Sequence, residues 1–260
     1  MVKGIDQFKA YFDAFPDNYV IIGGTACDMI MEEAGLTARA TKDIDIILVI
    51  EALNPEFLQT FWQFIKDGNY NRKEISNDER QYYRFIDPEN DDFPQQIELF
   101  SRNPNLIELD PETHLTPIPA DDDLSSLSAI LLDDTFYQFI IEHSEVVDGT
   151  HRAKTEALIA LKAKAFLDIT ERIAQGVQED SKHLKKHKND IFKLAMLFTG
   201  AERFELPLSI KEVLIAFLKL IKKDLPTADV YKAMGMKGAT SEQALAVIQS
   251  VFNVTDEELA

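Results

Sequence analysis

The order of apolar and polar positions divides the chain into two kinds of segment. Apolar residues recur at helical spacing in Ile5, Phe8, Phe12 and Phe15, and Pro16 stops the run, so a helix is expected over 5–15. Tyr19–Ile22 is a short apolar run ending in Gly23-Gly24, the pattern of a strand entering a tight turn. Thr25–Ala34 then reads as a helix closed by Gly35. The β-branched run Ile44–Ile50 predicts a buried strand, and Pro55–Ile65 a helix with proline in its first turn. Strands are expected around Tyr82–Ile86 and Gln95–Phe100, separated by the acidic turn DPENDDFP.

Beyond residue 100 the pattern changes. Residues 101–123 hold four prolines and read as a connection. Helical periodicity then dominates in Thr150–Ile173, His183–Phe198, Ile210–Lys222 and Ser241–Phe252, while Glu145–Val147 has room for one more strand. The expected fold class is therefore α+β: a small mixed β-sheet with flanking helices over residues 1–120, followed by a mostly helical C-terminal domain over 121–260.

Composition narrows the class of function. The 260 residues carry a net charge of −18, so a polyanion is repelled at long range and broad nucleic-acid binding is not expected. A local exception is SKHLKKHKND (181–190), which is either a solvated helix face or a basic patch. The single cysteine, Cys27, forbids an intramolecular disulfide. No apolar run approaches the roughly 20 residues that span a bilayer, and the N-terminus lacks the pattern of a signal peptide. A cytoplasmic protein without a membrane partner is the expectation.

Three segments carry candidate chemistry. In YVIIGGTACDMI, a strand, two glycines, a hydroxyl residue and a helix form a natural phosphate cradle, since the helix N-terminus offers unpaired N–H groups. In TKDIDIILVI, alternation sets Asp43 and Asp45 on one strand face and Ile44 and Ile46 on the other. Two acids on one face repel unless a cation such as Mg²⁺ lies between them, or unless both stand in water at a polar strand end. In QQIELFSR, Glu98 faces away from Ile97 and Leu99, and an acid inside a strand must be solvated, paired or metal-bound. The five histidines and Cys27 show no zinc spacing.

Taken together, these segments resemble the DNA polymerase β-like nucleotidyltransferase superfamily. The resemblance implies that Gly23, Gly24 and Thr25 hold nucleotide phosphates and that Asp43, Asp45 and Glu98 are catalytic metal ligands. It also implies Mg²⁺, with Mn²⁺ as an alternative ion, and a nucleoside triphosphate (NTP) as substrate. The sequence RATKDID resembles the branch of AbiEii-type toxins. So do KTEALIALKAKAFLDITERI and KHKNDIFKLAMLF, in which Lys162, or else Lys164, matches the family's lysine and Asp190 its acid. Lys42, Lys162, Lys164 and Asp190 are accordingly expected at the nucleotide. Two departures stand out: the third acid is Glu98 rather than aspartate, and Lys193 occupies the place of a second acid after Asp190. The expected reaction moves a nucleoside monophosphate (NMP) to a hydroxyl of a small molecule, protein or tRNA. An antitoxin partner is expected if the AbiEii likeness extends to biology, and the rival reading is a non-catalytic nucleotide- or partner-binding protein on the same scaffold.

Overall fold

The computed structural model describes residues 3–39, 41–75, 82–100, 116–117, 130, 133–177 and 181–260. Its centre is an eight-stranded mixed sheet in the order β6-β3-β4-β5-β2-β1-β8-β7. The strands are β1 (Tyr19–Ile22), β2 (Asp43–Leu48), β3 (Tyr70–Ile75), β4 (Tyr82–Pro88), β5 (Gln96–Phe100), β6 (Thr116–Pro117), β7 (Ser144–Val147) and β8 (Thr150–Ala153). β2 runs parallel to β5 and antiparallel to β1, and β8 runs parallel to β1. The sheet thus draws strands from both sides of residue 120.

Alternation gives the central strands two unlike faces. One presents Tyr19, Ile21, Ile44, Ile46, Ile97, Leu99, Tyr83 and Phe85, all buried. It is covered by α1 (Ile5–Phe12) and α3 (Pro55–Gly68). Phe8, Phe12, Phe57, Phe61 and Phe64 interlock there with Tyr19 and Phe85, largely in tilted or edge-to-face pairs. Asn54 caps α3 by accepting from the Phe57 N–H at 2.8 Å. The opposite face carries the charged residues.

That second face is approached by α2 (Gly23–Glu33) and by the long α5 (Thr155–Ala174), which follows α4 (Asp134–Glu142). Packed on α5 are α6 (Ser181–Ala195) and α7 (Leu208–Ile221); α8 (Asp229–Ala233) and α9 (Ser241–Val251) pack on α6. None of the described helices is long and apolar enough to cross a membrane.

Two of the expected helices begin at other residues. The helix expected to begin at Thr150 begins at Thr155, because Thr150–Ala153 is the second strand of a hairpin. Asp148 and Gly149 both have positive φ, 48° and 73°, as a tight two-residue turn requires. The other difference is that α2 begins at Gly23 rather than Thr25, so the glycines open the helix instead of preceding it.

Candidate active site

The β1–α2 junction builds the first part of the site. Ile22 lies opposite Asp45 in the sheet, so the next residue must pass directly beside that carboxylate. Gly23 has φ +66°, and a Cβ there would overlap Asp45 Oδ2; only glycine fits on both counts. A Cβ on Gly24 would stand 2.8 Å from Arg39 Nη2 and 3.1 Å from Thr41 Cγ2. The lead-in to β2 is pinned to α2 twice. The Thr25 hydroxyl donates to the Asp43 carbonyl, and the Thr41 N–H donates to Asp28 Oδ2 at 2.9 Å. Thr25 is thus buried and committed to backbone; it shapes the β1–α2 turn and is not among the residues that line the cleft. Thr41 does line the cleft, and its hydroxyl oxygen is buried with no hydrogen-bond partner among the described residues.

Three strands then set a row of charges. Asp45 is in register with Glu98 on β5, and Glu98 with Arg84 on β4. Glu98 is buried, accepting from Arg84 Nε at 3.1 Å and Gln96 Nε2 at 2.5 Å. Burial and then the neighbouring Asp45 carboxylate push the Glu98 carboxyl well above the ordinary range, against the pull of Arg84. Asp43 is pushed up by burial and by Asp45, with Lys186, Arg84 and Arg39 opposing. This wall therefore carries more negative charge than its own cations relieve.

The facing wall comes from α5 and α6. Leu158, Leu161 and Ala165 supply apolar surface, and His183, Lys186 and His187 the polar rim. Lys162 lies between them, buried, with its Nζ 2.9 Å from Asp190 Oδ2. Burial alone would lower the Lys162 ammonium, but Asp190 reverses this and holds it above its ordinary value. Burial would likewise raise Asp190; Lys162 and then Arg39, 3.8 Å away, bring it down to about 2. The two walls, with Gly23 and Gly24 at one end, enclose a cleft of about 280 Å³.

The structure brings Gly23, Gly24, Asp43, Asp45, Glu98 and Lys162 to this one cleft, with Asp190 directly behind Lys162. Lys164 is not among the lining residues: it pairs with Asp168 one helical turn on. Lys42 is exposed, and its carbonyl accepts from the Gln95 N–H. Among the described residues, no three His, Cys, Asp or Glu side chains are gathered closely enough to hold a metal by themselves. Glu98 gives its Oε1 to Arg84 and Gln96 and also shares a side-chain hydrogen bond with Asp45, so it stays beside the two aspartates.

Sequence reading missed Arg84, Gln96, Thr41 and Asp28. Arg84 carried the same signal as Glu98, a charge between two apolar strand residues, Tyr83 and Phe85. Lys186, His183 and His187 were visible only as part of a basic run. That run divides three ways: these three line the cleft, Lys188 reaches Asp224, and Asp190 holds Lys162.

Comparison with solved structures adds a likeness. The chain is similar to the crystal structure of "an antigenic nucleotidyltransferase-like protein" from Paracoccidioides brasiliensis. Identity is 16%, the match covers 91% of this chain and 96% of that one, and the TM-score is 0.38. No family model and no curated protein matches the chain. The cleft's own residues, and not this likeness, carry the functional reading.

Proposed function

We propose that the chain is a metal-dependent nucleotidyltransferase, moving an NMP from an NTP to an acceptor hydroxyl. The observation that carries this reading is the placement of Asp43 and Asp45 beside a glycine-opened helix N-terminus, at the mouth of a cleft that also holds cations. A helix start with close backbone approach takes phosphate, and the unpartnered Thr41 hydroxyl offers it a further donor. The donor set fits a hard divalent cation, which usually takes one or two carboxylates together with substrate phosphates.

Asp43 and Asp45 would hold that ion, with the Glu98 carboxyl beside Asp45 as a third donor. A bound Mg²⁺ would supply charge neutralisation at the α-phosphate and a lower pKa for the acceptor hydroxyl. The remaining work falls to the chain. Gly23 and Gly24 let backbone N–H groups approach the phosphates, and the Asp190-anchored Lys162 presents fixed positive charge. Leu158, Leu161 and Ala165 offer a dry surface for the nucleoside. In the overall exchange the acceptor hydroxyl gives up its proton to solvent, its oxygen bonds to the α-phosphorus, the bond to the β-phosphate breaks, and pyrophosphate leaves.

The AbiEii-type role, with its antitoxin partner, is the finer proposal. It is supported by the Lys162–Asp190 pair, which joins the two helices where that resemblance places its lysine and acid. Incubation with Mg²⁺, cell extract and NTPs labelled at the α- or γ-phosphate tests the reaction. Nucleotidyl transfer leaves α-label and no γ-label on an acceptor; γ-label on the acceptor would point to a kinase instead.

A further inference from the structure

The cations lining the cleft are not equivalent. Arg84 pairs with Glu98 at 3.1 Å, and Lys162 is held in place by Asp190 at 2.9 Å. Lys186 lines the same cleft, is exposed, and has no ion pair within 4.0 Å among the described residues. Its charge nevertheless reaches Asp43 across the cleft. His187 follows it on α6, also lines the cleft, and its Nδ1 is buried with no hydrogen-bond partner among the described residues. Lysine is a compact point charge with three donors, suited to a phosphate oxygen that arrives with the ligand.

We propose that Lys186, with His187 beside it, holds the terminal phosphates of the NTP across the cleft from Asp43 and Asp45. This rests on the nucleotidyltransferase reading and assigns it a subsite. A cation here is well placed: β- and γ-phosphates bring several negative charges toward two aspartates, and an exposed lysine offsets charge that one metal ion leaves over. It also gives the basic run on α6 a use. Lys185, its neighbour in sequence, is exposed and absent from the cleft, because one residue turns the helix by about 100°.

The test is calorimetric titration of the full chain with Mg²⁺ and each of ATP, GTP, CTP and UTP, with the matching NMPs, and with inorganic tripolyphosphate. Lys186→Gln is expected to weaken NTP and tripolyphosphate binding roughly 10- to 100-fold, the scale of a charge-assisted contact. NMP binding should stay within about twofold of wild type, Lys186→Arg should restore most of the NTP affinity, and Lys185→Gln should change nothing. Equal weakening of NMP and NTP, or no weakening of either, overturns the subsite while leaving the transferase reading in place. A wild-type chain that binds no triphosphate overturns both.

Discussion

Two ion pairs face each other across the cleft, one buried and one partly buried, and they are opposite in character. On the helical wall, Lys162 and Asp190 satisfy one another: Asp190 is drawn down to about 2 and the ammonium is held above its ordinary value. On the sheet wall, Arg84 meets Glu98 but cannot satisfy it. Burial and the adjacent Asp45 keep that carboxyl well above its ordinary range. The first pair is a finished structural element. The second lies in a wall with charge left over, which is where an arriving cation gains most. Buried acids therefore teach little until their neighbours' charges are counted.

Removing one partner from the finished pair should have the largest effect on stability. Asp190→Ala strands a buried ammonium and is expected to cost about 3–5 kcal/mol. In a chain of this size that lowers Tm by roughly 10 °C, measured by calorimetry. Glu98→Gln should behave in the opposite way, staying within about 1 kcal/mol of wild type, because it keeps an acceptor for Arg84 and removes repulsion from Asp45. Its turnover should still fall by orders of magnitude if Glu98 serves the acceptor hydroxyl. A Glu98→Gln variant that melts as low as Asp190→Ala breaks the comparison.

Acid titration sharpens it further. Asp190 has a folded value near 2, below its ordinary 3.8, so its contribution is full above 3.8 and is lost as pH falls toward 2. That contribution is about 2 kcal/mol. The difference in unfolding free energy between wild type and Asp190→Asn should accordingly shrink between pH 4 and pH 2. The smallest effect is expected at Lys164, whose pairing with Asp168 is a partly exposed pair within one helix. Lys164→Ala should change stability by less than about 0.5 kcal/mol and NTP affinity little, whereas Lys162→Ala should weaken both.

The sheet wall was legible in the sequence because alternation is a strict code. Asp43, Asp45 and Glu98 each interrupt apolar runs, and the structure sets all three on one face. β3 was missed because YNRKEI places three charged residues in succession and so shows no alternation. β7 was expected at Glu145–Val147; β8 was readable in principle from the Asp148-Gly149 turn, but helical periodicity further on obscured it. Which cations are spent and which are free was not legible at all. Arg84 finds Glu98 through strand register, and Lys186 and Lys188, two residues apart, part ways through helix rotation and contacts with distant residues.

The central claim is that Asp43 and Asp45 are the groups around which nucleotidyl transfer is organised. The most direct measurement is transfer of α-labelled NTP to acceptor by Asp43→Asn and Asp45→Asn, beside wild type, with circular dichroism on each. Each substitution keeps size and polarity but removes a metal-binding charge from the cleft mouth. Near-complete loss of transfer is expected in both variants, with unchanged secondary structure. Wild-type turnover in either, with the fold intact, would contradict it.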